Sequence, residues 1–242
     1  MEITIFSLNL WRYYGEWQKR LPKIVNHIKE KNPDIILLQE CFDDSRFNKP
    51  GNNQAKQLNK QLSFKHCFYS IAEKLETERG KSITDPVFDG LGLLSNINVV
   101  AVEDFKLKKQ AEDKHSRIIQ NILFEKDGKK FRLYHTHFSN RDDWAKMHLQ
   151  ETYKLAKKER TKPIIAGDLN IIITNDLKEV TGDEYQISWF VKKYVSYPSK
   201  KEVLDYVLLP KNNFQFESIE CNLNQLSDHC PLIVKLKFKK EL

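Results

Sequence analysis

The chain has 242 residues, of which 40% are hydrophobic and 30% are charged, and its formal net charge is +7. This composition is typical of a soluble globular protein, and the lack of any bilayer-length apolar run excludes an integral helical membrane protein. The positive charge favours a phosphate-bearing partner, although lysines scattered for solubility would give the same total.

The amino terminus and the cysteines bear on the cellular compartment. The sequence begins with a strand-like segment, without the basic stretch or the cleavage site of a secretory signal. Its cysteines form no Cys-x-x-Cys pair and have no zinc-like Cys/His spacing. They are Cys41, Cys67, Cys221 and Cys230. We therefore predict reduced thiols in a cytoplasmic protein, with a catalytic cysteine as the alternative.

The first part of the chain predicts two buried strands and two helices. Residues 3–10 are mostly apolar on both alternating faces, which predicts a strand ending at Asn9. Apolar residues at helical spacing predict a helix over 21–28, with Pro22 in its first turn and an end before Pro33. A strand, a loop, a short helix and a long polar loop are then predicted over 35–40, 43–53, 55–62 and 73–90.

The middle of the chain predicts strand pairs. Apolar runs over 90–95 and 99–108 are typical of neighbouring strands. Residues 117–125 and 130–137 predict a hairpin, because the Asp127-Gly128 pair between them favours a tight turn. The second arm of this hairpin ends in a segment with two histidines, at positions 135 and 137.

The last hundred residues predict one long helix and four strands. The helix extends from Asn140, as its cap, to Arg160. Its apolar face comprises Trp144, Met147, His148 and Leu155. The strands are predicted over 163–167, 203–210, 214–221 and 232–238, whereas 174–198 has no clear period. The alternating lysines from Lys235 to Lys240 are typical of an edge strand.

These elements favour an α/β (α+β) fold. About ten strands and about three helices, arranged mostly as strand pairs with occasional helices, predict two sheets packed together with helices outside. No repeat, low-complexity tract or linker divides the sequence. We therefore predict a single domain over residues 1–242.

Polar side chains lie at or beside the ends of the apolar strands. They are Asn9, Glu40, His137, Asp168, Asn170, Asp205, Asp228 and His229. Carboxylates with a neutral amide favour a hard cation such as Mg²⁺, and histidines bind or protonate phosphoryl oxygens. The set suits metal-assisted attack of water on a phosphate ester. Each residue alone also has a structural explanation, as a cap, a turn or a buried hydrogen-bond acceptor.

Seven short motifs occur in order and cover nearly the whole chain. They are Ser7-Leu8-Asn9-Leu10-Trp11, Pro33-Asp34-Ile35-Ile36-Leu37-Leu38-Gln39-Glu40, Gly90-Leu91-Gly92-Leu93-Leu94-Ser95, Thr136-His137-Phe138, Gly167-Asp168-Leu169-Asn170, Leu204-Asp205-Tyr206-Val207 and Ser227-Asp228-His229-Cys230-Pro231. This ordered set resembles the motifs of the endonuclease/exonuclease/phosphatase superfamily. The resemblance implies a four-layer sandwich, in which two mixed β-sheets pack face to face between outer helices. It also implies a site at one rim of the sheets.

The resemblance further implies a metal site and a water-activating group. Glu40 would be the principal ligand of Mg²⁺ (or Mn²⁺), supported by Asn9, and Asp228 would lie near the metal. Asp168 would orient or deprotonate the attacking water. Asn170 would bond to the phosphoryl oxygen and stabilise developing charge.

The histidines complete the implied site. His229 would contact the scissile phosphate, with Asp205 holding its tautomer. His137 matches a histidine of pancreatic-deoxyribonuclease-like and sphingomyelinase-like members, whereas abasic-site endonucleases use other residues there. The strand pattern alone does not separate it from the neighbouring His135. Its acidic partner would be Glu73 or Asp89.

The resemblance implies a phosphoester substrate, and we expect nucleic acid or a nucleotide-like diester. Arg117 begins a strand where members often have an arginine facing phosphate, although a surface arginine is the alternative. Aromatic residues after Asn9 would stack on bases or anchor the following helix. They are Trp11, Tyr13, Tyr14 and Trp17. The alternatives are a phosphomonoesterase, a lipid-headgroup phosphodiesterase of inositol-phosphate or sphingomyelin type, or a non-catalytic binding module. We expect a monomer with no membrane partner.

Overall fold

The fold consists of two six-stranded β-sheets packed face to face, with helices on both outer sides. The structure is a computed structural model that describes residues 1–78, 80–222 and 226–239. Both sheets contain parallel and antiparallel pairs. The predicted mixed α/β class and the four-layer sandwich implied by the resemblance are therefore confirmed.

The order of the strands differs from their order in the chain. The first sheet contains, in spatial order, β13 (Phe214–Cys221), β14 (Leu232–Phe238), β1 (Glu2–Asn9), β2 (Ile35–Asp44), β6 (Val87–Ser95) and β3 (His66–Lys74). The second contains β11 (Tyr185–Ile187), β12 (Asp205–Pro210), β10 (Ile164–Asp168), β9 (Lys129–His137), β8 (Ile118–Lys126) and β7 (Asn98–Lys106). A small hairpin is formed by β4 (Thr77–Glu78) and β5 (Lys81–Ser82).

Five helices accompany the strands within the described residues. They are α1 (Trp17–Lys31), α2 (Gln54–Leu62), α3 (Asp142–Ala156), α4 (Asn175–Thr181) and α5 (Ser188–Val191). The first two pack on the outer face of the first sheet, and α3 and α4 pack on the outer face of the second. The described residues thus contain fourteen strands and five helices, more than the ten and three expected from the sequence.

Three apolar layers hold the sandwich together, and β1 shows why its sequence is apolar on both faces. Ile3 and Ile5 pack against the second sheet, whereas Phe6 and Leu8 pack against the outer helices. All four side chains are fully buried. Removing such residues from water on both faces of a strand is the main stabilising contribution in a sandwich.

The ends of the two long helices differ from the sequence prediction. Pro22 is the sixth residue of α1, not part of its first turn, although the predicted stop is confirmed by the left-handed Asn32. The predicted cap Asn140 precedes α3, which begins at Asp142. Carboxylates in the first turn of α3 interact favourably with the positive end of its dipole. Met147 does not join the apolar face of α3, because 40% of it is exposed.

The second strand does not end at Glu40, as the sequence had suggested. It continues to Asp44, and its register with β6 shifts between Leu38 and Cys41. Two residues are thus accommodated in a β-bulge, which turns side chains out of the regular alternation. Glu40 has a left-handed backbone with φ 44°.

Three other sequence predictions are corrected. The 73–90 segment carries the ends of β3 and β6 and the small hairpin, and 174–198 contains α4, α5, β11 and a 3₁₀ turn. The lysine run from Lys235 is not at an edge, because β14 pairs with β1 on one side and β13 on the other. Lys235 is exposed and pairs with Glu2, and Lys240 lies outside the described residues.

Among the described helices, none combines the length and apolar character that crossing a membrane requires.

Candidate active site

The polar strand ends meet at one rim because of the sheet topology. Parallel pairing of β1 with β2 and of β9 with β10 brings their carboxyl ends to the same side of the sandwich. The antiparallel β12 begins at that rim, so Asp168 lies opposite His137 on one side and Asp205 on the other. Side chains of opposed residues project from the same face of a sheet, so these three converge.

Asn9 and Asp168 join the two sheets across the rim. The Nδ2 of Asn9 donates to Oδ2 of Asp168 at 2.9 Å, and its Oδ1 accepts from the backbone N–H of Trp11 at 2.9 Å. Both residues are buried. Burial raises the pKa of the Asp168 carboxyl, while the charge of His229 and the bond from Asn9 oppose the rise. Asn9 therefore fixes one oxygen of the carboxylate that we expected to handle water.

His229 and Asp205 form a buried pair. The Nδ1 of His229 lies 2.8 Å from Oδ2 of Asp205, and its Nε2 lies 3.8 Å from Oδ2 of Asp168. Burial alone would lower the pKa of His229, but the charges of Asp205 and Asp168, with the bond to Asp205, raise it to about 10. A proton on Nδ1 is therefore held toward Asp205, and Nε2 is directed to the rim. The structure brings together the two residues paired by the resemblance.

His137 is held by an arginine instead of an acid. The Nη1 of Arg117 donates to Nδ1 of His137 at 2.9 Å. Because Nδ1 accepts, the proton of the neutral ring lies on Nε2, which is 3.5 Å from Oδ2 of Asp168. Burial and the charge of Arg117 lower the pKa of His137 well below its usual value. Arg117 is only 7% exposed, so the alternative of a surface arginine is wrong.

Neither of the two candidate acids is bonded to His137 among the described residues. Glu73 accepts from the backbone N–H of Ser116 and pairs with His115 at 2.5 Å. Asp89 is buried beside a cavity of about 10 Å³ that Arg117 and His137 also line. Burial raises the pKa of Asp89 to about 6, against the attraction of Arg117. Within the described part of the chain, neither acid makes a hydrogen bond to His137.

The neighbouring His135 is separated from the rim. It is completely buried, with Nε2 2.7 Å from Nε2 of Gln39 and Nδ1 3.1 Å from Oε1 of Gln120. Burial lowers its pKa to about 3. The structure therefore distinguishes the two histidines that the strand alternation left equivalent: His137 joins the rim cluster, and His135 belongs to a polar network inside the sandwich.

Glu40 and Asp228 flank the cluster. The bulge in β2 presents Glu40, whose Oε2 lies 3.3 Å from Nε of Arg12. A left-handed backbone at a glutamate is strained and is typically retained where a functional site requires it. Asp228 is half-buried and accepts from the hydroxyl of Ser227 at 3.0 Å. Burial raises the pKa of Asp228, and the charge of His229 opposes the rise.

The donors at the rim fit a hard divalent cation. Ligand atoms of Asp168, Asp205 and His229 lie within 4.8 Å of one another. Oδ1 of Asp205 is buried and has no hydrogen-bond partner among the described residues. Carboxylate oxygens predominate once Glu40 and Asp228 are included, which is the chemistry that Mg²⁺ prefers over softer metals.

The segment after β10 forms the turn that the sequence also allowed for Asp168 and Asn170. The backbone N–H of Asn170 donates to Oδ1 of Asp168 at 3.1 Å, which is the Asx turn considered from the sequence. Its Nδ2 donates to the carbonyl of Phe138 at 3.2 Å, and its φ is 50°. The turn thus holds Asn170 next to the carboxylate of Asp168.

Two residues that contact the site were not singled out by any pattern in the sequence. Arg12 pairs with Glu40, and Tyr197 packs its ring against His229 with centroids 4.9 Å apart. Of the four aromatic residues after Asn9, two are buried in the helix layer and two are half-buried. The buried ones are Tyr13 and Trp17.

Comparisons with known proteins agree with this fold. No curated protein sequence matches the chain. A Beutenbergia cavernae endonuclease/exonuclease/phosphatase has a TM-score of 0.77 at 16% identity, covering 98% of this chain and 72% of the other. A Bacteroides thetaiotaomicron mannosyl-6-phosphatase has a TM-score of 0.70 at 17% identity, covering 98% and 100%. D. rerio TDP2 complexed with a single strand DNA product has a TM-score of 0.74 at 14% identity, covering 98% and 99%.

These structural similarities show the fold, whereas a match between the sequence and a family model shows the family. The model of the endonuclease/exonuclease/phosphatase family matches residues 6–229, which is most of the chain. The chain therefore belongs to the endonuclease/exonuclease/phosphatase family, whose members are hydrolytic phosphoesterases.

Proposed function

We propose that the protein is a Mg²⁺-dependent phosphodiesterase that acts on nucleic acid or a nucleotide-like diester. One observation carries the proposal: three groups from different strands and loops surround Oδ2 of Asp168. Nδ2 of Asn9 lies at 2.9 Å, Nε2 of His137 at 3.5 Å and Nε2 of His229 at 3.8 Å. Burying a carboxylate with an amide and two imidazoles costs free energy that packing does not require. Such a cluster is therefore typical of a functional site.

Glu40, Asn9 and Asp228 would hold the ion, since they provide the carboxylate and amide oxygens that Mg²⁺ (or Mn²⁺) prefers. When bound, the ion supplies Lewis-acid stabilisation of charge on the phosphoryl group. The Arg12–Glu40 pair supports this placement, because Nε of Arg12 lies 3.3 Å from Oε2 of Glu40, so this carboxylate accommodates a positive charge.

The other residues position the phosphate and the water. Asp168 accepts a hydrogen bond from the attacking water and takes its proton, helped by the raised pKa of its buried carboxyl. Asn170 donates to a phosphoryl oxygen. His229 donates from Nε2 to the phosphate while Asp205 retains the proton on Nδ1. His137 donates from Nε2 as a neutral ring, because Arg117 occupies its Nδ1.

Charge favours nucleic acid among the possible phosphoesters. The net charge of +7 raises encounter rates with a polyanion. A structural relative, D. rerio TDP2, was solved with a single strand DNA product. The phosphomonoesterase alternative has support from another relative, the mannosyl-6-phosphatase. We also propose a single-domain cytoplasmic monomer, which agrees with the four free cysteines.

A substrate panel with Mg²⁺ tests the assignment. Single-stranded DNA, RNA, a cyclic or linear dinucleotide, inositol phosphates and p-nitrophenyl phosphate are compared for the wild type and for Asp168→Asn. We expect the highest kcat/KM for a nucleic acid or a dinucleotide, and its loss in the variant. Binding to DNA should also weaken linearly with the logarithm of salt concentration. A preference for monoesters, together with salt-independent binding, would replace this proposal by the phosphatase alternative.

A further inference from the structure

We propose that Arg20 is a positioning residue that holds together the two loops flanking the candidate metal site. These are the loop over 10–16, which follows Asn9, and the segment over 226–228, which ends at Asp228. This role rests on the proposed function, since it concerns the residues assigned there to the ion. An arginine is always protonated and has no acceptor, so it is no metal ligand itself and contributes through the backbone of the two loops.

The guanidinium of Arg20 donates to backbone carbonyls of both loops. Arg20 lies in the first turn of α1 and is only 6% exposed. Its Nε and Nη2 donate to the carbonyl of Tyr14 at 2.9 and 2.7 Å, and Nη2 also donates to that of Arg12 at 3.1 Å. Its Nη1 donates to the carbonyls of Leu10 and Leu226, at 2.9 and 3.0 Å. One planar group therefore joins two segments that are distant in the sequence.

The partners of Arg20 indicate that it orders the backbone. A buried arginine is usually paired with an acid, whereas the bonds of Arg20 within the described residues all go to carbonyls. Its Cζ also lies 5.6 and 5.4 Å from the ring centroids of Trp11 and Trp17, which stabilises the charge. The rigid fork of a guanidinium fixes the relative positions of the groups that accept from it.

The loop over 10–16 requires support from outside. Trp11, Arg12 and Glu16 have left-handed backbones, with φ values of 53°, 51° and 56°. Residues other than glycine adopt this conformation at a cost in free energy, and it persists where surrounding contacts determine it. Arg20 provides such contacts, because it binds three carbonyls within this loop.

The same loop is connected to Glu40 in two ways. The side chain of Arg12 lies 3.3 Å from Glu40, between Nε and Oε2. The carbonyl of Arg12 accepts from Nε2 of Gln54 at 2.7 Å as well as from Arg20, and Oε1 of Gln54 accepts from the backbone N–H of Phe42 at 2.9 Å. Phe42 follows Glu40 by two residues in β2. A displacement of this loop would therefore reach both the side chain and the strand of Glu40.

The bond to Leu226 fixes the other loop. The side chain of Leu226 is buried in the same apolar layer as α1, and its carbonyl accepts from Arg20. Asp228 follows two residues later and is itself followed by His229. Arg20 therefore sets the separation between Asp228 and the loop that contacts Glu40. Because Mg²⁺ requires nearly ideal octahedral geometry, a change in this separation should weaken metal binding.

Metal affinity distinguishes positioning from two simpler roles. Arg20→Met removes a positive charge near Asp228, whose charge interacts with Arg20. Charge removal alone would tighten the binding of a cation, and a purely structural role would lower stability without changing affinity. We expect titration calorimetry with Mn²⁺, without substrate, to show about tenfold weaker binding in Arg20→Met. Unchanged or tighter binding would overturn the proposal.

A second variant and a matched control complete this comparison. Arg20→Lys keeps the charge but loses the planar fork, so we expect it to weaken Mn²⁺ binding by about tenfold too. Arg132→Met is the control, because Arg132 lies inside β9 and bonds to Glu159 and Asn121, at 3.0 and 3.1 Å. Its Mn²⁺ affinity should stay within about twofold of the wild type. An equal loss of affinity in this control would mean general destabilisation and would overturn the proposal.

Hydrogen exchange of the wild type provides a readout that requires no variant. Binding of Mn²⁺ should slow amide exchange in both loops together, although only the second contains a residue assigned to the ion. Slower exchange over 226–228 without any change over 10–16 would contradict the role of Arg20.

These measurements separate the role of Arg20 from the proposed function. If the wild type binds Mn²⁺ and the Arg20 variants bind it more weakly, but no phosphoester is cleaved, the proposed function fails and the positioning role stands. If the wild type is active and Arg20→Met binds Mn²⁺ equally well, the positioning role fails and the proposed function stands. A folded wild type that binds no divalent ion would overturn the positioning role.

Discussion

The Asp205→Asn substitution tests the electrostatics of the rim without changing its shape. Asp205 is completely buried, and its Oδ2 lies 2.8 Å from Nδ1 of His229. Asparagine keeps the volume and one oxygen but removes the charge. Since the charge of Asp205 is the largest of the effects that raise the pKa of His229, we expect that pKa to fall.

The magnitude follows from the raised pKa of His229. The pKa rises from 6.5 to about 10, which corresponds to about 5 kcal/mol of unfolding free energy at about 1.4 kcal/mol per pH unit. Asp168 and Asp228 also raise it, so we assign about half, roughly 2–3 kcal/mol, to Asp205. Because the folded-state pKa exceeds the unfolded-state value, this stabilisation is complete below pH 6.5 and is lost as the pH rises to about 10.

Urea denaturation in the presence of a chelator measures the effect directly. Between pH 6 and pH 10, the unfolding free energies of the wild type and Asp205→Asn should converge from a gap of roughly 2–3 kcal/mol to nearly zero. An NMR titration of His229 provides an independent readout of the same pKa. A gap that stays constant, or that widens toward pH 10, would refute the assignment of the raised pKa to this pair.

Two further substitutions test the separation of the histidines and the packing of the rim. His137→Ala should lower kcat about 100-fold or more, whereas His135→Ala should mainly lower stability, by about 2–4 kcal/mol, as its two glutamine partners lose their bonds. Steady-state kinetics and denaturation of both variants decide this, and a larger kcat loss in His135→Ala would contradict it. Gly167→Ala would place a Cβ 2.0 Å from the carbonyl oxygen of Thr136 at φ 138°, so we expect a loss of about 3 kcal/mol or more. In Gly128→Ala, where nothing lies within 4 Å, denaturation should show a loss of about 1 kcal/mol, and equal losses would be inconsistent with this packing.

The polar strand ends could be recognised from local sequence patterns. Apolar runs that end at Asn9 and around Asp168 predicted buried strands with polar ends, and the resemblance to the family implied that these ends meet at one rim. The parallel pairs of β1 with β2 and of β9 with β10 bring those ends together, as the register shows. Short apolar runs with polar ends are enough to predict the strand ends, and the ordered motifs of the resemblance added their common rim.

Long-range contacts could not be predicted in the same way. The pairing of Arg117 with His137 depends on the antiparallel register of β8 with β9, which no local pattern defines. The bulge at Glu40 requires a backbone conformation that glutamate disfavours, so sequence propensity predicts the opposite. A tertiary requirement overrides the local preference there.

The lysine pattern of the last strand shows a related limit. Alternating lysines from Lys235 predict an edge strand, yet β14 lies between β1 and β13. Exposure of one face of the strand produces the alternation, and the pattern carries no information about its neighbours in the sheet. Helices α4 and α5 were missed because seven and four residues are too few to show a helical period.

Hydrolysis of bis-p-nitrophenyl phosphate tests the central claim most directly. The wild type should cleave this diester only with Mg²⁺ or Mn²⁺, and Glu40→Ala should reduce the metal-dependent rate to background because it removes the proposed principal ligand. Glu30→Ala is the matched control, since the side chain of Glu30 is 68% exposed on α1. It should retain the wild-type rate. A folded wild-type protein without metal-dependent cleavage, or a Glu40→Ala variant with full activity, would contradict the account.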